Sequence, residues 1–433
     1  MATKRSKSNQ IKSNQIKSNQ IKSNQIKSNH GKEKKTLCLV MIVRNEAKII
    51  ERCLNRVKDH IDYWVIVDTG SDDETMDLIR KTLAAVPGEL HQRPWVNFGV
   101  NRSESLALAK GKADYLLLCD ADEQIIFSPE FDASTLDKDG YMLSYQGAND
   151  YAVTYLIRGD LNWRFVGVTH EYITCDKAYS REKINTISIL DLKDGGFKAD
   201  KFERDIRLLT QGLIDEPDNA RYQFYLANSY RDIQNYEKAA EWYQKRIASG
   251  GWKEEVTVAY ENLGAAYESL KQSALALHAW LKGYDYNPKR LECLYRAVRL
   301  LRIENNPRLA YHLAMLGKKI PYPKNDLLFI KRLNYELDIY YEISICAYYV
   351  QDFKSSYECC RTVLCHPHAQ HYFDSTVRNL TLVRSYAAED SLENIAKLVS
   401  FFEQYLAKNP ENEYAKDNLS FLRTLKHHHL ENW

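Results

Sequence analysis

Three apolar runs of strand length, each breaking off into charged or polar residues, constrain the first half of this chain more than anything else in it. Residues 36–43 (Thr-Leu-Cys-Leu-Val-Met-Ile-Val) end at Arg44-Asn45-Glu46. Residues 63–67 run into Asp68-Thr69-Gly70-Ser71-Asp72-Asp73-Glu74-Thr75, and residues 115–119 into Asp120-Ala121-Asp122-Glu123. Unbroken apolar runs of this length are what a parallel strand covered on both faces requires. Between them lie stretches at helical spacing: 47–58, with Ile50, Leu54 and Val57 on one face, about 74–85, and about 101–110. Ser71 or Asp72 is expected to cap the second of these. Strands alternating with helices imply a parallel sheet with right-handed crossovers. Ligands of such sheets gather at the carboxyl ends of the strands, so the three polar clusters are expected to meet in one crevice.

Residues 141–145 and 151–157 predict further strands, and 162–173 a strand-rich segment folding back over the crevice. Asp194-Gly195-Gly196-Phe197 marks a turn and places a domain boundary just beyond it. From about residue 201 the pattern becomes helical. Leu226, Ala227, Tyr230, Ala239 and Tyr243, then Leu263, Gly264, Tyr267, Ala276, Trp280 and Pro288, follow the spacing of a tetratricopeptide repeat. The small residues let antiparallel helices approach while the large ones fill the groove, so a stack of helix pairs is expected over 201–433.

Residues 7–30 repeat Lys-Ser-Asn-Gln-Ile with a period of five, which suits neither a heptad nor a strand. Residues 1–35 carry a net charge of +9 within a chain total of +2, so they read as a solvated, cationic, disordered tail. The remainder is left with about −7, against the basic face that duplex DNA selects, and no nucleic-acid partner is expected. No run approaches the roughly 20 apolar residues of a membrane crossing. The nine cysteines are scattered, odd in number and mostly inside apolar runs, as reduced thiols of a cytoplasmic protein would be.

Asp120 and Asp122, at i and i+2 on a loop leaving a strand, are candidates to share a divalent cation: hard ions such as Mg2+ and Mn2+ prefer carboxylate and diphosphate oxygens. Such a pair also occurs in ordinary acidic turns. It is the strand context and the second acidic site at Asp68 that favour chemistry. Asp122 reads as the metal ligand, and Asp120 as a ligand or a contact to ribose or sugar. Asp68 suits hydrogen bonds from a nucleobase or ribose, against an Asx turn as the plain alternative. Glu46 occupies the matching place after the first strand. Arg102 is expected either to meet a phosphate or to pin the acidic loop.

The runs Met-Ile-Val-Arg-Asn-Glu (41–46), Val-Ile-Val-Asp-Thr-Gly-Ser-Asp-Asp-Glu-Thr (65–75) and Tyr-Leu-Leu-Leu-Cys-Asp-Ala-Asp-Glu (115–123) resemble, in order and distance, glycosyltransferase family 2. With Trp163, His170-Glu171 and Asp194-Gly195-Gly196 ahead of the repeats, the chain is similar to a subgroup that fuses such a transferase to helical repeats. The resemblance implies an α/β GT-A domain, Rossmann-like with a mixed sheet, at 36–200, followed by an all-α tetratricopeptide-like domain at 201–433. It implies inverting sugar transfer from a nucleotide-diphosphate donor, a UDP-sugar first of all, with Mn2+ or Mg2+. It carries nucleoside contacts to Glu46 and Asp68 and the metal motif to Asp120 and Asp122. The family's later acidic base motif is absent. Glu171 is therefore the candidate general base, with Asp150 in reserve, and His170 a third metal ligand or an orienter of Glu171. Trp163 and Tyr172 are candidates to stack on sugars or to pack in the core. The acceptor is expected to be protein or glycan, held by the repeats. The alternatives are a repeat scaffold whose α/β domain binds nucleotide without reacting, and a nucleotidyltransferase, against which the lack of a glycine-rich loop after the first strand speaks.

Overall fold

The computed structural model of the chain describes residues 34–146, 152–195 and 201–431, with side chains to 427. All but the last two residues of the expected tail, and the candidate Asp150, lie outside them. The chain divides into two compact units on either side of the Lys201–Phe202 bond.

The first unit is built on an eight-stranded sheet of order β3-β2-β1-β4-β7-β6-β10-β5. These strands are β1 Leu37–Val43, β2 Tyr63–Asp68, β3 Gly88–Gln92, β4 Tyr115–Leu118, β5 Glu123–Phe127, β6 Gly140–Tyr145, β7 Ala152–Arg158 and β10 Arg181–Asp191. β8 Trp163–Val166 and β9 Tyr172–Cys175 form a separate antiparallel hairpin. The run β3-β2-β1-β4 is parallel, while β7 joins β4 antiparallel, so the sheet is mixed.

The apolar alternation of β1 explains how both faces are covered. Leu39, Met41 and Val43 join Ile50, Leu54 and Val57 of α1 (Ile50–Val57) and Ile79 of α2 (Thr75–Thr82) in one core. Cys38 and Val40 point the other way, against Leu106 and Ala109 of α3 (Phe98–Ala109). Successive strand residues face opposite sides, so one continuous apolar run serves two cores.

The structure corrects several boundaries. α1 starts three residues later than its spacing suggests, because the Glu46 carbonyl accepts from both Ile49 and Ile50 N–H and closes a turn first. α3 starts earlier than expected, since Asn97 caps it by accepting from Val100 N–H. Neither Ser71 nor Asp72 caps α2: the Ser71 hydroxyl accepts from Asn45 N–H, and Asp73 accepts from Thr75 N–H. Strands β3, β5 and β10 were not expected, because none of them is a continuous apolar run.

The second unit is built of helices, with no strand among its described residues: α4 Lys201–Asp215, α5 Ala220–Asp232, α6 Tyr236–Ala248, α7 Lys253–Ser269, α8 Ser273–Tyr286, α9 Glu292–Ile303, α10 Pro307–Gly317, α11 Ile339–Tyr349, α12 Phe353–Leu364, α13 Phe373–Val383, α14 Leu392–Lys408 and α15 Glu413–Glu431. The small residues act as their spacing predicts. Ala227, Ala239 and Ala276 are fully buried, and a Cβ on Gly264 would lie 2.2 Å from the Trp280 indole nitrogen. Among the described residues no helix is long and apolar enough to cross a membrane.

Candidate active site

Three neighbouring parallel strands bring the predicted clusters to one rim. β1 lies between β2 and β4, with Val43 opposite Asp68 and Val40 opposite Leu118. Adjacent strands are about 4.8 Å apart, so Asn45-Glu46, Asp68 and Asp120–Asp122 open onto the same edge.

The first two loops are laced together. Asn45, in the left-handed region at φ 55, donates its N–H to Ser71 and accepts from Asp72 N–H. Glu46 N–H donates to the Thr75 hydroxyl at 2.8 Å, and Ala47 N–H to Asp73 at 3.1 Å. Burial opposes the charge of Asp73, but the bonds from Thr75 and Ala47 outweigh it and hold the carboxyl below its ordinary range. Asp68 forms the Asx turn: Oδ1 accepts from Gly70 and Ser71 N–H, both at 3.0 Å. Its second oxygen, Oδ2, is buried with no hydrogen-bond partner on a residue that is 0% exposed. A buried carboxylate oxygen left without a donor is costly, so one orphan here points to a donor supplied from outside the chain.

Asp120 is held by Arg102 of α3, whose Nη2 lies 2.7 and 2.9 Å from its two carboxylate oxygens. The same guanidinium places Nε 2.8 Å from Glu171 Oε1, an ion pair whose N–H is not aimed along the contact. Arg102 is sandwiched near the Phe98 and Phe165 rings. Burial works against its charge, but Asp120 and Glu171 outweigh that and raise its pKa. Of the two expected roles for Arg102, pinning the acidic loop is the one its contacts show. The arginine also brings Glu171 of the hairpin into the rim, joining an element distant in sequence. That hairpin sits tightly on α3: Ser103 Oγ accepts from Phe165 N–H, and a Cβ on Gly99 would stand 2.2 Å from the Gly167 carbonyl.

Glu123, not singled out by its sequence position, underlies the pair. Its carboxyl accepts from Asp120 N–H at 3.0 Å and from the Tyr145 hydroxyl at 2.7 Å. Burial first, and the Asp120 charge second, push it up to about 8, so its charge beside Asp120 is disfavoured. Asp122 is half-buried, and its main-chain carbonyl accepts from Leu192 N–H. A Cβ on Gly195 would meet Asp122 Oδ2 at 3.0 Å, and Arg52 makes a fork with Asp194 at 2.7 and 2.8 Å. The turn signal at Asp194-Gly195 thus ends beside the acidic pair.

Trp163 is buried, donates to the Arg158 carbonyl and packs edge-on to Tyr179, so it belongs to the core and not to a sugar platform. Tyr172 is exposed. His170 adopts the left-handed backbone at φ 50 and stands next to Glu171. Among the described residues no three His, Cys, Asp or Glu side chains converge on a point a metal could fill. Asp120 and Asp122 still offer hard oxygens of the kind Mg2+ takes together with substrate phosphates, where one or two protein carboxylates suffice.

Residues 38–130 match the family described as Glycosyl transferase family 2. The chain is 25% identical over 231 residues to the glycosyltransferase SunS of Bacillus subtilis, covering 49% of this chain and 53% of that one. It is 38% identical over 96 residues to a TPR repeat-containing protein of Synechococcus elongatus, covering 22% and 23%. An uncharacterized glycosyltransferase of Rickettsia bellii is 33% identical over 91 residues, 21% and 29% of the two chains. The chain thus spans about half, or less, of the length of these relatives. Among solved structures, the TPR protein YrrB aligns with a TM-score of 0.35 at 14% identity, over 48% of this chain and 96% of that one. TarS in complex with UDP-GlcNAc aligns with a TM-score of 0.30 at 14% identity, over 57% and 91%. Residues 38–130 thus match the glycosyl transferase family 2 model, in a chain that continues into a tetratricopeptide-like helical unit.

Proposed function

We propose that this protein is a metal-dependent, inverting glycosyltransferase that moves a sugar from a nucleotide-diphosphate donor to a protein or glycan acceptor. The reading rests chiefly on the buried, unpartnered Oδ2 of Asp68, on the same rim as Asp120 and Asp122 in a family 2 domain. That oxygen has one vacancy for an N–H or O–H, and a nucleobase edge or a ribose hydroxyl supplies one. A uracil edge donates a single N–H, which makes a UDP-sugar the first donor to try. Glu46 lies on the neighbouring loop, its N–H bonded to the Thr75 hydroxyl.

Asp122 and Asp120 present the oxygens that suit Mn2+ or Mg2+; such a cation, when bound, offsets the charge that grows on the departing diphosphate. Arg102 fixes the Asp120 carboxylate in place and compensates its charge. Glu171, paired with Arg102 and 12% exposed at its side chain, takes the proton of the acceptor hydroxyl as that group attacks the anomeric carbon. His170 sets the backbone from which Glu171 projects. Attack from the face opposite the leaving group inverts the anomeric centre.

A donor-hydrolysis screen across nucleotide sugars, with Mn2+ and with chelator, tests the reading. Turnover of one donor that depends on the metal supports it. No binding and no turnover of any nucleotide sugar overturns it.

A further inference from the structure

The helical unit contains a stretch that is neither helix nor strand, residues 321–331 between α10 and α11. It does not hang in solvent. Leu327 and Leu328 N–H both donate to one carboxylate oxygen of Glu254, at 2.7 and 2.8 Å. The Leu328 carbonyl accepts from both terminal nitrogens of Arg290, at 3.4 and 3.3 Å, and Arg290 also reaches Asp326 at 3.4 Å. Lys331 N–H donates to Glu292 at 3.1 Å, and its ammonium pairs with Glu261. Arg290 and Glu292 are each 1% exposed and fork to one another, and Glu261 is also buried. Four charged side chains, three of them buried, thus read the main chain or the lysine of a segment with no secondary structure of its own.

The side chains of the segment alternate. Leu328 packs on the core that holds Phe224 of α5 and Val258 of α7, and Ile330 on the core that holds Leu291 and Leu294 beside and within α9. Leu327 and Phe329 point outward, 79% and 55% exposed, and Phe329 is held in the left-handed region at φ 47. The surface beneath is the face that the first helices of successive repeats share. Asn228, Asn262 and Arg296 stand on it 34 residues apart, one repeat length. Asn262 donates to Asn228, and Arg296 reaches Glu261 at 3.4 Å.

We propose that residues 326–331 are an internal ligand of this groove, and that the groove is a site for an extended peptide that displaces them. The groove offers an anionic carboxylate to two successive amides, a guanidinium to the next carbonyl, an apolar seat under Leu328 and an acid for a basic side chain three residues on. A peptide with an apolar residue followed at the third place by Lys or Arg fits that arrangement. None of this depends on the catalytic reading. If the repeats hold an acceptor on this face, they hold it only after the internal segment has left.

The probe is a fluorescein-labelled peptide with the sequence of residues 324–333, read by anisotropy against the full chain. The double variant Leu328→Ser/Lys331→Ser loosens the internal segment and leaves the groove untouched. It is expected to bind the peptide at least tenfold more tightly than the unaltered chain does. Equal affinity in a double variant with an unchanged far-UV circular dichroism spectrum overturns the proposal. Should that variant lose helical signal, millimolar peptide is added to the unaltered chain and amide exchange is followed. Faster exchange at Leu327 and Leu328 then supports displacement, and unchanged exchange contradicts it.

Discussion

At the residue scale, Asp68, Arg102 and Glu171 stand in different surroundings on one rim. Asp68 keeps a buried oxygen without a partner, and Arg102 pairs with two carboxylates from separate loops, after β4 and between β8 and β9. Glu171→Gln preserves shape and removes the proposed proton acceptor. Its kcat is expected to fall by about 10²–10⁴-fold with donor KM little changed, as steady-state kinetics would show; an unchanged kcat removes Glu171 from the role. Asp68→Ala acts on the other parameter, raising donor KM or Kd by about tenfold or more, since one charge-assisted hydrogen bond is worth about 1.5–3 kcal/mol. Calorimetric titration with the donor's nucleoside diphosphate measures it, and undiminished affinity would sever Asp68 from the nucleotide. That Asp68, Asp120 and Asp122 would share one rim was legible in the sequence, because Asp68 and Asp120–Asp122 follow apolar runs that a parallel sheet aligns side by side. The burial of Glu123 was not legible, because the fourth residue of an acidic loop gives no sign that it turns inward as the first residue of β5.

The elements most open to test are those that the sequence left unsignalled. β3 is an edge strand with no continuous apolar run, paired with β2 along its backbone, and one of its side chains also ties it to β2 and to the loop after α3. Glu89 accepts from Tyr63, lies 2.8 Å from His91 and pairs with Lys112. The bond from Lys112 first, then those from Tyr63 and His91, bring its carboxyl down from 4.5 to about 2. A depressed carboxylate stabilises the fold above its unfolded value of 4.5, and the gain is lost as pH falls from there through about 2. The side chain is 29% exposed, so Glu89→Gln is expected to cost only about 1 kcal/mol at pH 7. Denaturant melts at pH 7 and below pH 3 should show that deficit shrinking; a deficit independent of pH would assign it to packing instead. The contact between α3 and the β8–β9 hairpin admits a sharper substitution. Gly99→Ala forces a Cβ against the Gly167 carbonyl, which must move. The expected cost is about 1–3 kcal/mol, read as a lower midpoint in the same melts, together with reduced activity, because Arg102 and Glu171 lie across that seam. Such a seam could not be read in advance, since a single glycine at a helix start has many possible causes.

At the scale of the whole molecule, a sheet rim that bears carboxylates and a stack of helix pairs occur in one chain, and each was legible from a different periodicity. Apolar runs broken by acids gave the first, and small residues 12 apart gave the second. Helix boundaries escaped because hydrogen bonds of single side chains set them, as Asn97 does for α3 and Ser71 does for the loop after β1, and edge strands escaped because they lack a continuous apolar run. The central claim is that the Asp120–Asp122 pair acts on a departing diphosphate. The most direct measurement is donor turnover by Asp122→Asn in the full chain, at saturating donor and Mn2+, alongside its thermal melt. The account predicts a loss of about 10²-fold or more with an unaltered melting temperature. Turnover equal to that of the unaltered chain would contradict it.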